Sequence, residues 1–167
     1  MKKFLMLCGA LVVIGAASLA ADPVEGYWLS VDDKSGKVNA GWEIYLVDGK
    51  LFGKILSIAD FDQAEKASAC TGKYPGFPAA GTVSEMTVVG TTWIFGLSLD
   101  RAGAGNWNGG NIIDPNDGKM YGCKITYRRA DGKKYARDTL EVRGTIGPFG
   151  RSQYWRKSTL EEAGGLR

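Results

Sequence analysis

The clearest structural signal in the chain is the stretch WEIYLVDGKLFGKI at residues 42–55. Apolar and polar side chains alternate on both sides of Asp48-Gly49, a pair typical of the two-residue turn of a β-hairpin. Such a turn fixes the register of the two strands, so Trp42 is predicted to lie opposite Ile55. The stretch therefore predicts an antiparallel hairpin with one apolar face.

The same alternation recurs along most of the chain, between turns rich in Gly, Pro, Asn and Asp. We expect an all-β fold, an antiparallel up-and-down β-barrel of eight to nine strands with at most one or two short helical turns. A two-sheet sandwich is the alternative. The predicted strands are Gly26–Val31, Trp42–Val47, Lys50–Ile58, Thr82–Val89, Thr92–Leu99, Asn108–Ile113, Lys119–Arg129, Lys134–Gly144 and Gly150–Arg156.

Alternating strand direction assigns each connection to one end of the barrel. With about nine strands, residues 32–41, 59–81 and 100–107 share one open end, and the other end has mostly tight turns. The longest of these connections, 59–81, contains Phe77 among other aromatic residues. It is either a lid over the open end or a surface loop that packs its own aromatic side chains.

A second Asp-Gly pair, Asp131-Gly132, predicts another hairpin. The register of a two-residue turn sets Tyr127 opposite Ala136 and Ile125 opposite Asp138. This register leaves the charged side chain of Asp138 on an otherwise apolar face.

Composition narrows the classes of function. The 167 residues include no His, which excludes Ser-His-Asp catalysis and His-ligated metal sites. A carboxylate pair would fall on Asp60 with Asp62 or on Asp114 with Asp117, and all four lie in turns or at a loop start, where Asp is the expected capping residue. We therefore expect no enzymatic activity, no cofactor and no metal site.

The first 20 residues are typical of a signal peptide. Lys2 and Lys3 precede an apolar run that ends in Ser18-Leu19-Ala20, and we expect cleavage after Ala20 and export to the periplasm. Loss of the two lysines lowers the net charge from +3 to +1, and no basic run is left that favours nucleic acid.

Cleavage leaves a barrel domain at residues 21–157 and a short tail at 158–167. In the tail, Ser158 and Glu161 are spaced as in a capping box, which predicts one helical turn that frays. The remaining sequence has no long apolar run, so no stable membrane insertion is expected after cleavage.

Two cysteines, Cys70 and Cys123, remain once the signal peptide is removed. An even pair in a chain sent to an oxidising compartment predicts a disulfide, which would tie the long connection to a strand. Two unpaired thiols are the alternative.

Tryptophan marks both ends of the predicted barrel. Gly26-Tyr27-Trp28 opens the first strand and Trp155-Arg156 closes the last, and closure of the barrel brings these strands side by side. This arrangement resembles the lipocalin pattern, in which an Arg of the last strand packs on a Trp of the first. The resemblance implies that Trp28 and Arg156 form a barrel-closing pair.

A second resemblance covers nearly all of the chain after residue 20. The motifs are similar to those of a family of secreted bacterial proteins known as a domain of unknown function, DUF2147. This resemblance implies a lipocalin-like β-barrel in the periplasm that holds a small hydrophobic ligand, with no established reaction. The segment 59–92 is long and Ala-rich, and it departs from the family pattern. The matching motifs are Gly26-x-Trp28, Glu43-Ile-Tyr45 with residues 48–55, Gly109-Gly with Ile113-Asp-Pro115, Asp117-Gly-Lys-x-Tyr121-x-Cys123, and Val142-Arg-Gly144 with 150–156.

A barrel of about eight strands is either filled by side chains or holds one small ligand. The alternative function is an envelope interaction or inhibitor module that uses residues 103–111, with an exposed Trp107 as its anchor. A homodimer is compatible with either function. For the ligand-binding function, the candidate contact residues are Trp42, Ile44, Ile55, Phe77, Phe95, Tyr121 and Ile125.

Overall fold

The computed structural model describes residues 21–167, so the predicted signal peptide and its cleavage site lie outside the described residues. Eight antiparallel strands form one closed barrel in the order of the chain, and β8 pairs with β1. This confirms the predicted up-and-down barrel. The strands are β1 (Gly26–Val31), β2 (Val38–Val47), β3 (Lys50–Ile58), β4 (Thr92–Leu99), β5 (Asn106–Asp114), β6 (Lys119–Arg128), β7 (Thr139–Ile146) and β8 (Phe149–Ser158).

The hairpin of β2 and β3 has the predicted register. Trp42 lies opposite Ile55 and Ile44 opposite Gly53. Asp48 and Gly49 have φ angles of 49° and 73°, the positive values that a two-residue turn matching the strand twist requires. Local turn chemistry therefore determines which side chains of these two strands face the interior.

The predicted strand Thr82–Val89 is wrong. This segment contains a short 3-10 helix at Val83–Glu85 and a single bridge between Lys66 and Thr87. With one strand fewer, residues 100–105 lie at the end opposite to the one that was predicted. We call the end with residues 32–37, 59–91, 115–118 and 147–148 the open end, and the end with 48–49, 100–105 and 129–138 the closed end.

The predicted register at Asp131-Gly132 is also wrong. Ile125 lies opposite Val142 and Tyr127 opposite Leu140, so residues 129–138 form a longer loop. The Asp131 carboxylate accepts the backbone N–H groups of Lys133 and Tyr135 at 2.9 Å, which curls the chain within the loop. Asp138 belongs to this loop, where its carboxylate accepts the N–H of Ala130 at 3.0 Å.

The barrel is packed from its middle to the closed end. Gly53 faces inward, and a Cβ there would lie 2.8 Å from Cδ1 of Ile44 and 3.1 Å from Cβ of Ile94. Packing of this density leaves no space for a ligand in this half. The large side chains that fill it are each at most 4% exposed: Trp28, Ile44, Leu51, Ile94, Leu97, Trp107, Ile125 and Leu140.

Trp28 is covered by a cation at the closed end, but not by the predicted one. The ammonium group of Lys157 lies 4.3 Å from the centre of the Trp28 ring and donates to the Glu25 carbonyl at 2.7 Å. Lys157 is the strand partner of Trp28, whereas Arg156 pairs with Leu29. Because successive residues of a strand face opposite sides, Arg156 cannot share the face of Trp28.

The long connection between β3 and β4 packs mainly against the outside of the barrel. The Phe77 ring centre is 6.1 Å from that of Trp93 and 5.6 Å from that of Phe95. Both partners flank the inward-facing Ile94, so they lie on the outer face of β4. The Trp93 indole N–H donates to the Val88 carbonyl at 2.7 Å. This connection therefore packs Phe77 against the outside of the barrel, whereas its Phe61 and Val88 border the space inside the open end.

The tail forms a docked helix rather than a fraying turn. Helix α1 (Leu160–Gly164) begins after Thr159, whose hydroxyl accepts the Glu162 N–H at 3.2 Å, one residue later than the predicted cap. Ala163 is fully buried, and its carbonyl accepts the Ser57 hydroxyl at 2.7 Å. Within residues 21–167, no helix is both long and apolar enough to cross a membrane.

Candidate ligand cavity at the open end of the barrel

The half of the barrel near the open end is hollow. A cavity of about 590 Å³ lies between the strands there, within the range of small-molecule sites. Apolar side chains dominate its inner part: Trp42, Ile55, Ile58, Ile112, Val142 and Trp155. Polar side chains lie among them and around its rim: Ser30, Asn39, Asp114, Asn116, Arg151 and Gln153.

Three of the predicted contact residues, Trp42, Ile55 and Tyr121, line this cavity. The other four do not. Ile44 and Ile125 face inward but lie within the packed half of the barrel, at 1% and 0% exposure. Alternation along a strand identifies the inner face, but it does not say how far along the barrel the packed layers extend.

Phe77 and Phe95 are outside the cavity for a different reason. Both lie in the contact between the long connection and the outer face of β4. Gly96 has a φ of 75°, and the irregular pairing of β3 with β4 shifts the inward positions on β4 to Ile94 and Leu97. A bulge of this kind reverses the face on which later residues lie, which a simple period-two count does not detect.

Two stacked indole rings lie where the cavity meets the packed half. The ring centres of Trp42 and Trp155 are 4.7 Å apart, with an interplanar angle of 27°. The Trp155 N–H donates to the Gln153 side-chain oxygen at 3.2 Å. The Trp42 N–H is buried and finds no acceptor within residues 21–167. The sequence analysis did not include Trp155 among the cavity residues. The available signal was the period of two along β8, which places Trp155 on the same face as Gln153.

The rim of the cavity carries the charged groups. Arg151 on β8 contacts the Asp33 carboxylate at 3.1 Å and thereby links β8 to the connection between β1 and β2. On another part of the rim, the Asp114 carboxylate accepts the Asn116 backbone N–H at 2.9 Å. The cavity is thus apolar inside, and its mouth carries these polar groups beside the exposed side chains of Ile146 and Phe149. This distribution suits an amphipathic molecule with its polar end outward.

The four carboxylates considered for catalysis lie in turns or directly beside them, Asp114 as the last residue of β5. Asp62 accepts the Ala64 N–H at 2.9 Å, Asp117 accepts the Lys119 N–H at 2.9 Å, and Asp60 has a φ of 54°. The hydrogen bond to Lys119 is the largest cause of a lowered pKa for Asp117. These groups serve the turn geometry that their positions in the sequence indicate.

Trp107 is not an exposed anchor. It lies on β5 opposite Ile125 and is only 4% exposed, within the packed half of the barrel. The prediction of an interaction surface centred on this side chain is therefore wrong. The glycines around it suggested a loop, but all five residues from 106 to 110 belong to strand β5.

The two cysteines are free and buried, so the predicted disulfide is absent from residues 21–167. Cys70 lies on the long connection, with its sulfur 4.0 Å from the Pro115 carbonyl oxygen at the open end. Cys123 lies on β6 opposite Gly144, inside the sheet. Burial raises the pKa of the Cys123 thiol to about 12, so the thiol is protonated and unreactive at neutral pH.

One solved structure supports the architecture. Its title is "Protein HP1028 from the human pathogen Helicobacter pylori belongs to the lipocalin family", and it resembles this chain with a TM-score of 0.61. The identity is 18%, over 83% of this chain and 84% of that one, so the similarity concerns the fold. No match was found among curated proteins. The sequence profile described as "Uncharacterized protein conserved in bacteria (DUF2147)" matches residues 26–157, and the chain belongs to this family.

Proposed function

We propose that this protein is a periplasmic binding protein that holds one small hydrophobic or amphipathic molecule in the open half of its barrel. The cavity of about 590 Å³ is the observation that carries the proposal. Its apolar inner part ends on the stacked rings of Trp42 and Trp155, and its rim carries Asp114 and Arg151. The apolar part of the ligand packs against the indoles and its polar end reaches the rim.

The proposed location follows from the first 20 residues. Lys2 and Lys3 followed by an apolar run and Ser18-Leu19-Ala20 support export and cleavage after Ala20. A protein released in this way meets amphipathic molecules of the cell envelope. Mass spectrometry of the protein from a periplasmic fraction tests this step, because its mass must then correspond to residues 21–167.

Native mass spectrometry tests the ligand. The protein is purified from the periplasm without detergent, its native mass is measured, and bound material is extracted with organic solvent. We expect an adduct of a few hundred daltons, the size that a cavity of this volume admits. A mass without adduct, unchanged after incubation with a total lipid extract, would overturn the proposal.

A cavity-filling variant makes the test specific. Gly144 lines the cavity, and a Cβ there would lie 3.7 Å from the Tyr121 Cβ, an ordinary contact distance. Gly144→Leu should therefore fold and lose the adduct. Lys124→Leu adds a leucine at an exposed position of β6 and should keep it. An adduct retained in Gly144→Leu would place the bound molecule elsewhere.

A further inference from the structure

Gln153 is a half-buried polar side chain on the inner face of β8. It lines the cavity and lies opposite Val142 of β7, which is buried and apolar. Its side-chain oxygen accepts the indole N–H of Trp155 at 3.2 Å. Because an indole nitrogen only donates hydrogen bonds, this contact fixes which end of the amide faces Trp155. The amide nitrogen, with its two N–H groups, is therefore turned away from the indole.

The amide nitrogen of Gln153 is a free donor in the inner part of the cavity. It makes no hydrogen bond with residues 21–167 and is open to the cavity. The other polar side chain at this depth, Ser30, is satisfied, because its hydroxyl accepts the Ala40 N–H at 3.1 Å and donates to the Ala40 carbonyl at 3.2 Å. A ligand that leaves such a donor unpaired loses the free energy of desolvating it. The inner cavity therefore selects for a ligand with a hydrogen-bond acceptor.

The charges of the lining favour an acceptor without charge. Among the residues that the structure describes, the lining contains one cation, Arg151, and one carboxylate, Asp114. Arg151 also contacts the Asp33 carboxylate at 3.1 Å, so no uncompensated positive charge is available to a ligand anion. Burial of a carboxylate beside apolar side chains without a cation is costly. A neutral carbonyl group meets the Gln153 donor without that cost.

We propose that Gln153 determines the specificity of the cavity and that the ligand is a neutral acyl compound, an ester or amide, whose carbonyl oxygen accepts the Gln153 N–H. Arg151 lies two residues further out on the same face of β8, about 7 Å along the strand. The carbonyl group is thus just inside the rim, and the acyl chain packs against the indoles. This inference rests on the proposed function and adds the chemical class of the ligand.

Calorimetric titration with three probes of similar size tests the class of ligand. The purified protein is freed of bound material on a hydrophobic resin and titrated at pH 8 with methyl octanoate, octanoate or decane. We expect methyl octanoate to bind more tightly than octanoate, because the anion must lose water without gaining a cation. Octanoate that binds as tightly as its methyl ester would overturn the neutral class.

Gln153→Glu tests the donor, because a carboxylate still accepts the Trp155 N–H but cannot donate. We expect methyl octanoate to bind about tenfold more weakly, the effect of one lost hydrogen bond. The affinity for decane, which has no acceptor, should change far less. Gln153→Leu removes the amide without adding a charge and should give the same difference between the two probes. Affinities for methyl octanoate and decane that change equally in both variants would overturn the role of Gln153.

Lys124→Gln is the control for charge. It changes the net charge by the same amount as Gln153→Glu, at an exposed position of β6, and should leave all three affinities unchanged. If no probe binds the parent protein and native mass spectrometry finds no adduct, the ligand proposal itself fails. If methyl octanoate binds both Gln153 variants as it binds the parent, the ligand proposal stands and Gln153 is not its donor. An adduct from the periplasm without an ester or amide group would also overturn the inference.

Discussion

At the scale of single residues, the two cysteines are unpaired because the fold holds them apart, although their even number predicted a disulfide. An even number of thiols in an exported chain predicts a bridge, but Cys70 lies beside Pro115 on the long connection and Cys123 inside the sheet. Their separation in the fold depends on how the long connection packs, and no local pattern encodes that packing. Alkylation of the unfolded, unreduced protein should therefore modify two thiols, whereas a bridged protein would take up none.

The Cys123 thiol also predicts a dependence of stability on pH. Burial raises its pKa from 9.0 to about 12, so above pH 9 the unfolded chain loses a proton that the folded chain keeps. The stability from this thiol is complete below pH 9 and declines as pH rises towards 12. Urea unfolding at a series of pH values should show that the free energy of unfolding falls less steeply with pH in Cys123→Ala than in the parent protein. The difference should be about 1 kcal/mol per pH unit above pH 9.

The comparison between parent and variant isolates this thiol. Tyr127, whose pKa burial raises to about 12, also lowers stability at alkaline pH, and Lys157, whose pKa burial lowers, acts in the opposite direction. Both groups are present in the two proteins, so their effects cancel in the difference. Parallel stability curves above pH 9 would show that Cys123 ionises as easily in the folded chain as in the unfolded one.

At the scale of elements, the docking of α1 depends on one glycine of β2. A Cβ on Gly41 would lie 1.8 Å from the Ala163 carbonyl oxygen, so Gly41→Ala must displace the helix. We expect faster amide hydrogen exchange at residues 160–166. The free energy of unfolding should fall by about 1–3 kcal/mol, because Ala163 is no longer buried and the Ser57 hydroxyl loses its hydrogen bond to the Ala163 carbonyl. Gly164→Ala, at an exposed position of α1 where a Cβ would meet nothing within 4 Å, is a control without such a contact. Unchanged exchange at residues 160–166 in Gly41→Ala would contradict this dependence.

Hairpins whose register is fixed by the residues of their own turn were predictable from the sequence. Elements positioned by contacts with distant parts of the chain were not. Asp48-Gly49 determined its hairpin completely, because a two-residue turn leaves one register. Asp131-Gly132 did not, because Asp131 bonds within a ten-residue loop. Thr82–Val89 has the alternation of a strand, yet the barrel closes without it. The cavity was predicted only in part, since the boundary between filled and hollow layers depends on which side chains meet across the barrel.

At the scale of the whole molecule, the barrel divides into a packed half and a hollow half, and two tryptophans distinguish them. Trp28 lies in the packed half and donates to the Val24 carbonyl at 2.9 Å, whereas Trp155 borders the cavity. Both are at most 1% exposed. The packed half carries most of the buried side chains that hold the barrel closed, and so the other half can stay open without loss of the fold.

This division predicts different outcomes for two matched substitutions. Trp28→Phe leaves the Val24 carbonyl without its donor and should cost about 1–3 kcal/mol in urea unfolding while the native mass adduct persists. Trp155→Phe should cost less, because the Gln153 oxygen borders the cavity, but it alters the surface on which the ligand packs and should lower the adduct population several-fold. If Trp28→Phe removed the adduct and Trp155→Phe kept it, the packed half would have to open for binding, and the division into two halves would be wrong.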